Sequence, residues 1–269
     1  MTTSELLASA WDWQPSVVAG CAALAIGYVA LVRGRAPART VSFLSGVLLL
    51  LLDLVSPVDT LGDQYLFSAH VLQHFLLALV VPALWLMGMP RGIAEGALRQ
   101  PLISRVERML VRPLAAWPLG VGAMIVWHVP ALFNAALASE SLHIFQHLSF
   151  LVTGTIFWWP ILHPMEERRL AALGGIAYLF SACVACSLLG AVLAIARPGF
   201  YPVYLNPVDR SGIVSLVRDG WGLDPKNDQQ LGGMLMWVPG CFVYLSGIML
   251  TAARWYATSE RTGALESSR

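Results

Sequence analysis

Charge is what this sequence has least of. Of its 269 residues only 12% are charged, 17 basic against 16 acidic, while 57% are hydrophobic and the mean hydropathy is +0.65. An ordinary soluble domain carries roughly a quarter charged residues. The charge present is too sparse to cover a water-facing surface of this size, which argues against most soluble enzymes. Disorder needs low hydrophobicity and high net charge, and a nucleic-acid binder needs a strong basic excess; a formal net charge of +1 excludes both. What remains is a chain whose outside meets a lipid bilayer.

Cysteine is scarce as well. Cys21, Cys183, Cys186 and Cys241 all fall inside apolar stretches, so no disulfide framework is expected. Cys183 and Cys186 stand i,i+3; small buried residues in a tightly packed helix explain them better than a thiolate metal site. The first ten residues contain no Lys or Arg, and no A-x-A-like cleavage site closes a short apolar segment, so the first span is expected to stay in the mature protein.

A helix needs about 20 mostly apolar residues to cross the hydrocarbon. Such stretches run approximately from Pro15 to Val32, Val41 to Ser56, Tyr65 to Met87, Leu114 to Leu137, Leu142 to Leu162, Leu170 to Ala196 and Gln230 to Ala253. Runs such as Val47 to Leu52 lack the alternation of a barrel strand, so a helical bundle is the reading. Counting basic residues loop by loop sets the orientation. Arg33, Arg35 and Arg39, the five arginines from Arg91 to Arg112, Arg168 and Arg169, and Arg254, Arg261 and Arg269 fall on one side; only Arg197, Arg210, Arg218 and Lys226 fall on the other. The positive-inside rule places the first group in the cytoplasm. The expected fold is an all-α integral membrane protein, a single seven-transmembrane-helix bundle over residues 1–269 with the N-terminus outside and the C-terminus cytoplasmic. Residues 90–113 interleave apolar residues with arginines and read as a cytoplasmic amphipathic segment on the membrane surface or as a plain basic loop. Residues 197–229 form a long outer loop, rich in aromatics and proline around Phe200 to Tyr204, with docking of a partner among its candidate tasks.

Ionisable groups in a span are costly and point to function. Five of the six histidines fall at similar depth. His70 and His74 sit near the outer start of the third span and His143 and His147 near that of the fifth, roughly 3 to 14 Å below the boundary at the helical rise. His128 reaches a comparable depth from the fourth span, while His163 lies at the opposite end of the fifth. Residues four apart share a helix face, so each pair offers two imidazoles to one site. Both pairs are written H-x-x-Q-H, and each Gln is placed to bond a neighbouring imidazole or backbone group. Imidazole suits zinc, copper, iron and nickel, with copper leading the affinity order. Further candidate donors are Met234 and Met236, more readily read as core filler, and Asp53, equally readable as snorkelling to the outer surface. Trp127-His128-Val129-Pro130 and Trp237-Val238-Pro239 put prolines inside spans and are expected to kink them beside the site.

At these residues the sequence resembles the CtaG-type multi-spanning assembly factors of bacterial cytochrome c oxidases, associated with caa3-type enzymes. The matching words are Ala69 to His74, Trp127 to Pro130 with Asn134, Leu142 to His147, Phe157-Trp158-Trp159-Pro160, and Gln229 to Gly233, spread from about Asp59 to the end of the seventh span. The resemblance implies a non-enzymatic protein of the bacterial plasma membrane needed for oxidase maturation, with copper delivered to the haem–copper centre. It also implies His70, His74, His128, His143 and His147 as metal positions, and oxidase subunits and a copper donor as partners docking on the 197–229 loop. The family is similar to modules fused to copper-uptake domains, and differs from the single-span copper chaperone of the same name, which uses cysteines in a soluble domain. Two alternatives stand beside it: a bis-histidine haem protein, and a zinc-dependent intramembrane hydrolase in which Asp53 or Glu140 acts on bound water, for which no H-E-x-x-H is present.

Overall fold

The structure, a computed structural model, describes residues 1–34, 36–110, 112–209 and 211–267, with side chains as far as Glu260. Arg35, Arg210 and Arg269 of the charge count lie outside the described residues, as does the side chain of Arg261. Every regular element among the described residues is helical.

Proline marks where many of the helices begin. Its missing N–H and fixed φ suit the first turn. After α1 (Thr3–Ser9), closed by a capping box between Thr2 and Glu5, prolines open α2 (Pro15–Val32), α3 (Pro37–Val55) and α4 (Pro57–Gln64). The next span is α5 (Phe67–Phe75), a π-helical turn (Leu76–Val80) and α6 (Val81–Gly88). Pro82 has no N–H to offer the Ala78 carbonyl, and the widened turn just before it absorbs the misfit. Then come α7 (Arg91–Leu98), α8 (Pro101–Leu110), α9 (Pro113–Trp127), α10 (Pro130–Leu137), α11 (Glu140–Leu162) and α12 (Ala172–Ile195). A short α13 (Ile213–Ser215) runs into a second π-helical turn, and α14 (Pro225–Ser267) closes the chain.

Among the described residues five runs are long and apolar enough to cross a membrane: α2, α3, α5 through α6, α12 and α14. The central one is α5 through α6, of which 56% is buried, against 17% of α2 at the rim. The expected fourth span is not one helix. Pro130 cannot donate to Val126 and disfavours a helical Val129, so the chain breaks at His128 and restarts as α10. Pro239, by contrast, lies within an unbroken α14. Although α11 has 23 residues, it carries His143, Gln146, His147 and several hydroxyls along its length.

Glycines let these helices touch. A Cβ on Gly233 of α14 would meet the Gly190 carbonyl of α12 at 2.6 Å, and one on Gly154 of α11 would collide with the Ala78 carbonyl in the π turn. At one end, Arg91 pairs with Glu167 at 2.7 Å and Arg168 with Glu107 at 3.3 Å, tying α7 and α8 to the segment after α11. At the other end, residues 197–229 fold inward over the bundle. Tyr201 and Tyr204 are buried, and Ile213 and Val217 pack with Leu6 of α1 and with Leu61, Tyr65 and Leu66 in a separate apolar cluster.

Candidate metal centre

Two one-turn steps build the centre. His70 and His74 on α5 have ring centroids 4.2 Å apart, and so do His143 and His147 on α11. The start of α5 has no cap of its own; Asp228 of α14, 2% exposed, accepts from the Phe67 N–H at 2.7 Å and the Ser68 N–H at 3.0 Å. The carboxylate thus sets α5 against α14 just ahead of the histidines. His128 joins from the broken end of α9. Its Nδ1 lies 2.7 Å from the Met124 carbonyl, which can only accept, so Nδ1 carries the proton and Nε2 is left as a bare lone pair. Phe133 packs on His70, His74 and His128, and Phe150 on His74.

Across the bundle, ring centroids of His70 and His143 are 5.2 Å apart, His74 and His147 5.8 Å, and His74 and His128 5.3 Å. One donor atom each from His70, His74 and His147 lie within 4.8 Å of one another. His70 and His74 are fully buried, His128 is 3% and His147 9% exposed. Both nitrogens of His70 and His74, and Nε2 of His128, His143 and His147, have no hydrogen-bond partner among the described residues. A buried polar atom left unpaired costs about 1–3 kcal/mol. A neutral imidazole carries one N–H and one lone pair, so each ring offers one free nitrogen donor, and several of these at one point match the needs of a cation that takes nitrogen ligands.

The other sequence candidates divide. Asp53 is buried at 3% exposure, with neither carboxylate oxygen hydrogen-bonded, so it does not snorkel; it also belongs to neither histidine group. Met236 is buried, whereas Met234 is 52% exposed on the bundle's outside. Glu140 is exposed. Gln73 orients no imidazole: its amide donates to the Asp53 main-chain carbonyl at 3.1 Å and to Asp59 at 2.9 Å, and the Gln146 side chain has no hydrogen-bond partner among the described residues. His163 lies at the far end, beside Glu107 at 3.4 Å. Cys183 approaches Cys241 of α14 at 3.3 Å, and Cys186 faces the Tyr244 hydroxyl.

Residues 22–258 match the sequence profile of the cytochrome c oxidase caa3 assembly factors. The chain belongs to that family. Relatives of this family member include an uncharacterized protein of Mycobacterium leprae, 26% identical over 279 residues, and uncharacterized proteins of Mycobacterium bovis and Mycobacterium tuberculosis, each 25% identical. In all three the match covers 95% of this chain, which spans about two-fifths (41%) of the relatives' length. No solved structure matches.

The family resemblance did not point to two acidic residues at the centre. Asp63 of α4 places Oδ1 3.6 Å from His143 Nε2 and 4.0 Å from His70 Nδ1. Burial, then the Asp12 charge, raises the Asp63 carboxyl to about 7; burial, then the Asp63 charge, raises Asp59 to about 7. The available signal was spacing: Asp59 and Asp63 are i,i+4 in the linker that leads into the first H-x-x-Q-H. Two tyrosines were also missed as neighbours of the centre. Tyr201 donates to the His128 carbonyl at 2.8 Å and stacks on Phe67 with centroids 4.7 Å apart, and Tyr204 donates to the Gly62 carbonyl at 2.7 Å.

Proposed function

We propose that this oxidase assembly factor binds copper at His70, His74 and His147, with His128 and His143 beside them, and passes it to the oxidase. The observation that carries the reading is the convergence of those three imidazoles, buried and without hydrogen-bond partners, at a point where nitrogen donors alone are offered. Copper is cargo here, and copper in either oxidation state accepts imidazole nitrogen. The protein's own part is to hold the rings: Asp228 anchors α5, Met124 sets the His128 tautomer, and Phe133 and Phe150 keep the donors dry.

In this reading α9 with α10, and α11, are two further spans, giving seven. The α4 end faces the outside of a bacterial plasma membrane, because the arginines of residues 91–112 and Arg168 gather at the opposite end. Residues 90–113 then lie at the cytoplasmic surface, where Leu102, Ile103, Val106 and Met109 of α8 are exposed toward lipid headgroups. The haem alternative needs a macrocycle between α5 and α11. Against it, His70 and His143 stack at 19° between ring planes, and α11 touches the π-helical turn that follows α5 at Gly154 and Ala78.

Metal analysis after Cu(I) loading of detergent-purified protein tests the proposal. Wild type should retain about one equivalent, and the His74→Ala/His147→Ala double variant roughly tenfold less or lower. Wild-type protein that takes up no copper, or that takes up zinc in preference, or that purifies with a Soret band, would sink it.

A further inference from the structure

Beside the buried trio lies a second donor set that mixes oxygen with nitrogen. Asp63 Oδ1, a His143 nitrogen and a His70 nitrogen all lie within 4.8 Å of one another. At 3.6 and 4.0 Å, Asp63 is within ion-pair reach of both rings but too far for a hydrogen bond, and Asp63 Oδ1, His143 Nε2 and His70 Nδ1 have no hydrogen-bond partner among the described residues. Donors that converge at these distances without a hydrogen bond between them leave room for an ion.

Asp63 and His143 of this set line a cavity of about 570 Å³ between α2, α3 and α11, with His70 buried behind them. Asp59, Asp63 and Glu140 line its polar part, while His143 and His147 line it further in. Exposure falls along the same line: the Asp63 side chain is 34% exposed, that of His143 15%, His147 9%, and His70 and His74 are fully buried. His147, nine-tenths buried with Nε2 unpartnered, is reached from this cavity.

We propose that Asp63, His143 and His70 form an entry site that receives the metal ion before the buried trio does. The inference rests on the copper reading above. His70 belongs to both sets, so transfer inward is a ligand exchange in which Asp63 and His143 give way to His74 and His147 while His70 stays bound. No electron or group is transferred. The carboxylate supplies negative charge and a hard donor where the ion still keeps water, and the neutral imidazoles take over where it no longer does.

Rapid mixing of detergent-purified protein with Cu(I) held by the chromophoric chelator bicinchoninate separates rate from endpoint. Asp63→Asn keeps the side chain's shape; it should reach the wild-type copper content about tenfold more slowly. An unchanged rate overturns the entry site. So does loss of content equal to that of His74→Ala, which would make Asp63 a ligand of a single centre and leave the copper reading standing. If wild type itself binds nothing, the copper reading has failed first. A second measurement covers the case in which Asp63→Asn folds poorly. With the inner set removed as His74→Ala/His147→Ala, Cu(II) should still give an electron paramagnetic resonance signal with mixed oxygen and nitrogen ligation, and Asp63→Glu should retain it. An all-nitrogen signal, or none, counts against the proposal.

Discussion

Asp59 accepts the Gln73 amide at 2.9 Å, and its ionisation is opposed first by burial and then by the nearby Asp63 carboxylate. With its carboxyl raised from 3.8 to about 7, the folded apoprotein holds a proton that the unfolded chain has released. Native protein then binds more protons than unfolded protein between about pH 4 and about pH 7, so stability falls as pH rises through that window. Melting temperatures of metal-free protein in detergent should decline across that range, and Asp59→Asn should flatten the decline while still accepting from Gln73. A variant with the wild-type slope would show that burial of this carboxyl is not what the protein responds to.

Helix α5 depends on a residue more than 150 positions away for its first turn. Its own sequence offers Leu66 at the cap position, whose side chain cannot accept a hydrogen bond, and Asp228 of α14 takes that part. Replacing it with Ala strips three donors, including the Ser68 hydroxyl, of their partner. Asp228→Ala should cost about 1–2 kcal/mol of stability and, if the proposed copper site holds, speed copper loss, because α5 carries two of the three buried imidazoles. Thermal denaturation and copper retention on a desalting column read the two effects. Normal retention at lowered stability would place Asp228 in folding alone. The π-helical turn after His74 belongs to the same design: it accommodates Pro82 and sets the Ala78 carbonyl against Gly154, which is how α11 comes close enough for its histidines to meet those of α5.

The whole molecule has two unlike ends, one acidic and capped by residues 197–229, the other laced by Arg–Glu pairs. Single cysteines report which end faces out. Val208→Cys, at a position 73% exposed, should react with a membrane-impermeant thiol reagent on intact cells, while Arg105→Cys should react only after permeabilisation. The reverse pattern would invert the orientation and put the histidine centre on the cytoplasmic side. The native cysteines lie within α2, α12 and α14, so they add little background.

Hydropathy located the helices because crossing lipid demands long apolar runs whatever the neighbours; Pro15 to Val32 coincides with α2. The i,i+4 spacing likewise put each pair of histidines on one helix face before any packing was known. Which residues stand opposite those faces is a tertiary matter. Asp63 sits in the short α4 between spans, where its i,i+4 spacing from Asp59 marks a shared helix face without saying that its carboxylate turns toward two imidazoles. Tyr201 and Tyr204 read as part of an outer loop, yet burying two large rings against Phe67 and Phe133 draws the segment inward over the centre. The break at His128 was legible only as a kink at Pro130, because periodicity does not report whether a freed carbonyl finds another partner. Here the His128 carbonyl finds the Tyr201 hydroxyl. Local rules thus determined the helices and the faces that carry the histidines. Packing between distant segments decided which donors converge, because convergence depends on distances that no local pattern encodes.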